Sequence, residues 1–303
     1  MDAYTGFAEV YDLFMDNVPY DEWADRLTRD FAAQGIEEGL VCELGCGTGQ
    51  MTRRLADRGF DMIGIDASEE MLAAAQEAEE IPGTVREAEE AAAGGESRTS
   101  PGGKPDGAAA RLPILYLQQD IREFELYGTV RAAFSVCGTL NYITSPEDLL
   151  TVFRLVNNYL DPGGVFVFDI HTPAYYEEIG DTTIAETRDE AAFIWENEYD
   201  PGTREDIYEM TFFIHAGTAA ACKAAAADGD AEHSADIRTS VPDTALYRRI
   251  EETHVQRGWT EEEVRRILKK SGLIFISAED ADTGEPVDEE TQTLWIAARE
   301  SGK

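Results

Sequence analysis

Short apolar runs alternate along this chain with longer segments in which apolar residues recur every three or four positions. Residues 40–44, 62–66, 114–118, 132–137 and 165–170 are the runs, and each has the length of a buried strand. Between and before them, residues 5–15, 20–34, 51–58 and 146–160 have helical spacing, with Pro19 and Ser145 standing at two of the expected starts. Strands alternating with helices predict an α/β chain built on a parallel, doubly wound sheet, with its ligand at the carboxyl edge of the strands. After the fifth strand the period falls to two. Residues 182–188, 193–199, 206–215 and 245–255 alternate β-branched and aromatic residues with polar ones, and Asp200-Pro201-Gly202 reads as a turn. A small antiparallel β cap is therefore predicted inside the chain. Helical spacing returns over 260–270, where Glu261, Glu262 and Glu263 lie at the positive end of the helix and Gly272 stops it. Residues 273–278 and 293–298 then make the sheet seven-stranded.

Two stretches fit no period. Residues 75–111 and 216–245 are rich in Ala, Gly, Glu and Asp and contain no aromatic residue, so they bury too little to offset the entropy of ordering. They are expected to be low-complexity insertions, the first partly helical at its start. The predicted organisation is a helical lid over 1–38, a core over 39–180 and 259–303, and the cap over 181–258.

Composition narrows the chemistry. With 303 residues, 43% of them hydrophobic, the chain can bury a large core. Its net charge is −36, from 61 acidic against 25 basic residues, and only five of the bases are lysine. Such a field repels phosphate backbones, and the densest basic group is Arg265-Arg266 with Lys269-Lys270, so a nucleic-acid substrate is not expected. Salt adaptation and plain solubility both account for the acidity. The four cysteines, Cys42, Cys46, Cys137 and Cys222, show no paired C-x-x-C spacing, so neither a metal site nor a disulfide framework is expected. Met1 leads into a charged segment and no run reaches the length of a membrane span, which predicts a cytoplasmic protein with reduced thiols.

The chemistry concentrates in Glu43-Leu44-Gly45-Cys46-Gly47-Thr48-Gly49, at the turn from the first strand to its helix. Glycine there admits positive φ and lets a ligand reach the backbone, while the helix start offers unpaired N–H groups. A dinucleotide turn spaces its glycines G-x-G-x-x-G; here the third arrives one residue early. Glu43 would repel a diphosphate and suits an ammonium group or another cation. Asp66 ends the second strand 17 residues beyond Gly49, where a carboxylate accepts ribose hydroxyls or simply caps the next helix.

This E-x-G-x-G-x-G turn resembles the first motif of class I methyltransferases that use S-adenosylmethionine (SAM). Phe7-Ala8-x-x-Tyr11-Asp12 with Pro19-Tyr20-x-x-Trp23 is similar to the N-terminal helices of the bacterial small-molecule type, and Asp161-Pro162-Gly163-Gly164 before the fifth strand is similar to another hallmark. The resemblance covers residues 1–74, 112–215 and 246–300. It implies a Rossmann-like sheet with the last strand antiparallel, and SAM as cofactor. SAM contacts are implied at Gly45, Cys46, Gly47 and Gly49 of the turn, at Glu43, and at Asp66 with Ala67. Met71 stands where an adenine face would be covered. Asp120 with Ile121 is implied at the adenine amine, Cys137 with the Asn141-Tyr142 segment beneath the methionine part, and Tyr11 and Trp23, with Tyr4 and Tyr20 less directly, in the lid. One departure is Arg131-Ala132-Ala133, where relatives start the fourth strand with an acid.

Methyl transfer from a sulfonium is an in-line displacement in which positioning lowers the barrier by as much as about 7–11 kcal/mol. An oxygen or ammonium acceptor also needs a base. His171, after the fifth strand at the carboxyl edge, is the first candidate, although a strand-end histidine also serves as a structural donor. Glu252 and His254 share one face of a cap strand, and Tyr142 and Tyr175 follow. The expected function is methylation of a small molecule. The alternatives are a SAM-binding protein without turnover, a tRNA or protein methyltransferase, and an NAD-dependent oxidoreductase. Oligomeric state has no signature in the sequence.

Overall fold

The computed structural model describes residue 8 and residues 10–80, 112–218 and 245–302. The central sheet is seven-stranded. Its strands are β1 (Gly39–Leu44), β2 (Phe60–Asp66), β3 (Leu115–Gln118), β4 (Val130–Ser135), β5 (Leu160–His171), β10 (Ile274–Asp280) and β11 (Thr293–Arg299). They lie in the order β10-β11-β5-β4-β1-β2-β3. Pairings from β3 across to β5 are parallel, whereas β11 runs antiparallel to both β5 and β10. The expected α/β, mostly parallel architecture is what forms.

Alternation along each run sorts side chains to two faces. Leu44, Ile65, Phe166 and Phe168 join one buried cluster, which includes residues of α5 (Pro146–Tyr159) and α7 (Glu261–Ser271). Val41, Met62, Phe134 and Val167 join the other, with residues of α2 (Tyr20–Ala33) and α3 (Gln50–Asp57). Both faces of the parallel strands are thus covered, as their unbroken apolar runs require. Ser145 caps α5 by accepting from the Asp148 amide, and Thr260 with Glu263 forms a capping box on α7.

A second sheet is entirely antiparallel: β6 (Thr183–Thr187), β7 (Ala191–Asp200), β8 (Glu205–Thr218) and β9 (Ala245–Arg257). This is the predicted cap. Its inner face, with Phe193, Tyr208, Met210 and Phe212, clusters with Val10 and Phe14. The N-terminal helix therefore packs on the cap, a contact that periodicity alone does not disclose.

Several expectations shift. The helix expected over 5–15 is helical only at α1 (Tyr11–Phe14) among the described residues, and Tyr4 and Phe7 lie outside them. The helical start expected for the first insertion is the end of α4 (Glu69–Glu80), which continues past Ala75 and buries it; residues 81–111 and 219–244 lie outside the described ones. The Asp161–Gly164 turn is absorbed into β5 as an irregularity: Leu160 pairs with Val130 and Val165 with Ala132, so six residues face three. Helix α6 (Pro173–Ile179), capped by Thr172, and a 3-10 turn (Thr139–Tyr142) were not anticipated; both are too short to show a period.

Candidate active site

Strands β1, β2 and β4 end on one edge, where the glycine turn opens a cleft of about 650 Å³. Gly45, Gly47 and Gly49 all have positive φ. A Cβ on Gly45 would strike Thr139 at 2.2 Å, whereas one on Gly47 would meet nothing within 4 Å, so the turn is packed behind and open in front. Gly45, Cys46 and Gly47 line the cleft. Gly49 does not; it starts α3, where a Cβ would strike the Tyr116 hydroxyl at 2.5 Å.

Acids face the cleft from the strand ends. Glu43 is 3% exposed and accepts from the Thr52 hydroxyl. Burial pushes its carboxyl up to about 8, against the lowering effect of Thr52. Asp66 accepts from the backbone N–H of Gly47 (2.8 Å) and of Ser68 (2.9 Å), so one carboxylate ties the glycine turn to the start of α4. It combines the cap role with a place in the cleft, beside Ala67 and Met71. Asp120 and Ile121 line the same space; Arg122 binds the Asp120 carboxylate and holds its pKa below the usual range.

Cys137 lines the cleft in a left-handed conformation (φ 63°) that few non-glycine residues adopt. Asp169, buried at the end of β5, holds it there by accepting from the amides of Cys137 (2.8 Å) and Gly138 (3.0 Å). Asn141 donates to the carbonyls of His171 and Arg257 and accepts from the His171 amide, stapling this loop to β5 and to the last cap strand. Asp169 is a role that sequence reading missed, since the residue appeared only as part of an apolar run.

The N-terminal segment, expected to act as a lid, meets the cleft through other residues than expected. Tyr11 and Tyr20 line the cleft, but Trp23 does not: it packs against the core cluster of α2 and α3 and meets Tyr20 edge-on, with ring centroids 6.3 Å apart. One helical turn beyond Pro19 points Trp23 inward. Asp12 accepts from the Thr48 hydroxyl (2.7 Å) and the Gln50 amide (2.8 Å), latching α1 to the glycine turn.

His171 also falls outside the cleft. Its ring stacks on Tyr175 at 3.9 Å and its Nδ1 lies 2.9 Å from the Thr293 hydroxyl. Its Nε2 packs behind Gly138, where an added Cβ would meet it at 2.6 Å. Burial lowers its pKa to about 4. The strand-end histidine is thus a packing and hydrogen-bonding element of the Cys137–Gly138 turn. On the cap side, His254, Thr253 and Val255 of β9 line the cleft together with Tyr142, while Tyr175 does not. Among the described residues no cluster of side chains could hold a metal ion.

Known proteins place this geometry. A family model described as a methyltransferase domain matches residues 15–278. The chain belongs to the methyltransferase-domain family. It is 31% identical to YqeM of Bacillus subtilis (strain 168), provisionally named a methyltransferase, over 98% of this chain and 97% of that one. Its fold is similar to that of a SAM-dependent methyltransferase from Clostridium acetobutylicum ATCC 824, with TM-score 0.69 and 23% identity over 98% of each chain. It is also similar to SAM-bound CalS10, an amino pentose methyltransferase from Micromonospora echinaspora, with TM-score 0.62 and 17% identity over 99% of each. The protein is a methyltransferase with the fold of its SAM-dependent structural neighbours. The glycine turn would fit SAM: its front is open at Gly47, and the buried carboxyl of Glu43 also lines the cleft.

Proposed function

We propose that this methyltransferase transfers the methyl group of SAM to a small-molecule acceptor lying between the glycine turn and the cap. One observation carries the reading: Thr253 and His254 of the cap line the cleft at the strand ends together with Tyr142 and the glycine turn, so the cap forms part of its wall. A chamber of about 650 Å³ suits a cofactor with a small partner rather than a polymer. CalS10, whose name gives an amino pentose as its acceptor, is matched along its whole length. In this assignment Gly45 to Gly47 and Glu43 receive the amino-acid part of the cofactor, Asp66 its ribose, Asp120 with Ile121 and Met71 its adenine. Tyr11 and Tyr20 close over them. The chain works in the cytoplasm; Cys42, Cys46 and Cys137 are free thiols and no described helix is long and apolar enough to cross a membrane.

Calorimetric titration with SAM, S-adenosylhomocysteine and NAD tests the cofactor assignment. SAM and its product bind, NAD does not, and Asp66→Ala weakens SAM by at least tenfold, or about 1.4 kcal/mol. Binding of NAD in place of SAM, or an Asp66→Ala affinity equal to that of the unaltered protein, overturns it.

A further inference from the structure

The cap-side wall of the chamber carries a linked set of side chains that the cofactor assignment leaves unused. Tyr142 lines the cleft, and its hydroxyl shares a hydrogen bond with the Tyr208 hydroxyl and lies 3.2 Å from His254 Nδ1. His254 is 2% exposed, and its Nε2 lies 3.3 Å from a carboxylate oxygen of Glu252, itself 7% exposed. Tyr208 stacks on the imidazole, with centroids 4.8 Å apart and planes 6° from parallel. Among the groups facing His254 are Tyr142 from the 3-10 turn, Tyr208 from β8 and Glu252 from its own strand. The Glu252 carboxylate does not meet hydrogen-bond geometry with Nε2, but its charge favours a proton on that nitrogen, which leaves Nδ1 to accept from Tyr142. The result is a proton path from the chamber wall to a buried acid.

Resting on the reading that the acceptor is a small molecule, we propose that Tyr142, His254 and Glu252 deprotonate an amine acceptor that arrives as its ammonium ion. The lining leaves no place for an anionic acceptor: Glu43, Asp66 and Asp120 are taken up by the cofactor in this assignment, and Arg122, the sole lysine or arginine among the described lining residues, is bound to Asp120. A carboxylate acceptor has no proton to give this path and finds no free cation. An alcohol is far too weak an acid for an imidazole base, whereas an alkylammonium, of ordinary pKa about 10.4, gives up its proton far more readily. Tyr142 is the catalytic residue, and His254 and Glu252 act through it. The ammonium N–H passes its proton to the Tyr142 oxygen while Tyr142 passes its own to His254 Nδ1, giving an imidazolium against the Glu252 carboxylate. The freed nitrogen pair then forms the N–C bond as the C–S bond breaks, the electron pair staying on sulfur and the positive charge passing to the methylated ammonium. His254 returns its proton to water once the products leave.

The test uses matched acceptors with saturating SAM: glucosamine and glucose, benzylamine, benzyl alcohol and benzoate, with S-adenosylhomocysteine measured by mass spectrometry. Turnover is expected with the amines alone. Tyr142→Phe and His254→Asn should lower kcat by roughly 10²–10⁴ while SAM affinity and Tm hold. Glu252→Gln should move the kcat ionisation to lower pH. In the ligand-free protein, histidine-selective NMR should show the Nε2–H tautomer for the signal that His254→Asn removes. The relay falls if that signal is the Nδ1–H tautomer, if either variant keeps full kcat, or if SAM-saturated protein methylates no amine of the panel. Failure to bind SAM in the calorimetric titration is a different result and brings down the cofactor assignment itself.

Discussion

Glu43 is a buried acid that lines the cleft beside the glycine turn. Burial raises its carboxyl to about 8, so between the ordinary carboxyl range and that value the folded chain holds a proton that the unfolded chain has released. The folded state is then favoured most at low pH, and this contribution is lost as pH climbs through about 8. An ammonium group beside Glu43 reverses the preference by stabilising the carboxylate. Glu43→Gln should therefore raise the ligand-free Tm at pH 8 while weakening SAM by tenfold or more, about 1.4 kcal/mol; a lower Tm would mean that the Thr52 hydrogen bond outweighs desolvation. At this scale the sequence was informative where a residue sits beside a glycine turn or ends an apolar run. Glu43, Asp66 and Asp120 all line the cleft. His171 misled because a strand end says that a side chain reaches the edge but not which way it turns once Tyr175 and Thr293 pack against it. Trp23 misled for the same reason: a helix turns each residue by about 100°, and the expected start at Pro19 did not say which face meets the cleft.

Among the elements, the four-residue helix α1 connects more than its length suggests. Tyr11 reaches the cleft, Asp12 binds Thr48 and Gln50 beside the glycine turn, and Phe14 packs edge-on against Phe193 of the cap at 4.9 Å. Arg188 adds an exposed ion pair to Asp16. A helix this short has almost no stability of its own. Its position depends on these side-chain contacts, so breaking them should release the lid without unfolding the sheet. Asp12→Ala is expected to weaken SAM binding three- to tenfold, through faster dissociation, with Tm nearly unchanged; Arg188→Ala should leave both alone, since exposed pairs contribute about 0–1 kcal/mol. Stopped-flow release of SAM from the two variants distinguishes a latch from a passive contact: equal release rates would reject the latch. Periodicity disclosed the seven core strands, the long helices and the cap because each repeats its pattern several times. It was blind to α6 and the 3-10 turn, which make one or two turns, and to the contact between α1 and the cap, which joins residues nearly two hundred positions apart.

For the whole molecule the dominant field comes from a net charge of −36. Ion pairs such as Arg204–Glu263 and Arg26–Glu279 engage part of the 25 basic residues, and acids still outnumber bases by more than two to one. The surplus repels itself across the folded surface and less so in the expanded unfolded chain, so the fold carries an electrostatic cost that salt should relieve. The range of that repulsion shrinks from about 30 Å at 0.01 M to about 10 Å at 0.1 M salt, so most of the relief comes early. The same field draws cations toward the cleft, and screening should weaken that attraction. Stability and ligand affinity are therefore expected to respond to salt with opposite signs. From about 0.01 M to about 0.5 M sodium chloride, the ligand-free Tm should rise, most steeply at the low end, while affinity for SAM and for an ammonium acceptor falls. Differential scanning and calorimetry on one salt series measure both. A Tm that falls with salt would show that the ion pairs outweigh the repulsion, and an affinity indifferent to salt would show that the cleft acts through contact alone, with no contribution from the field of the whole chain.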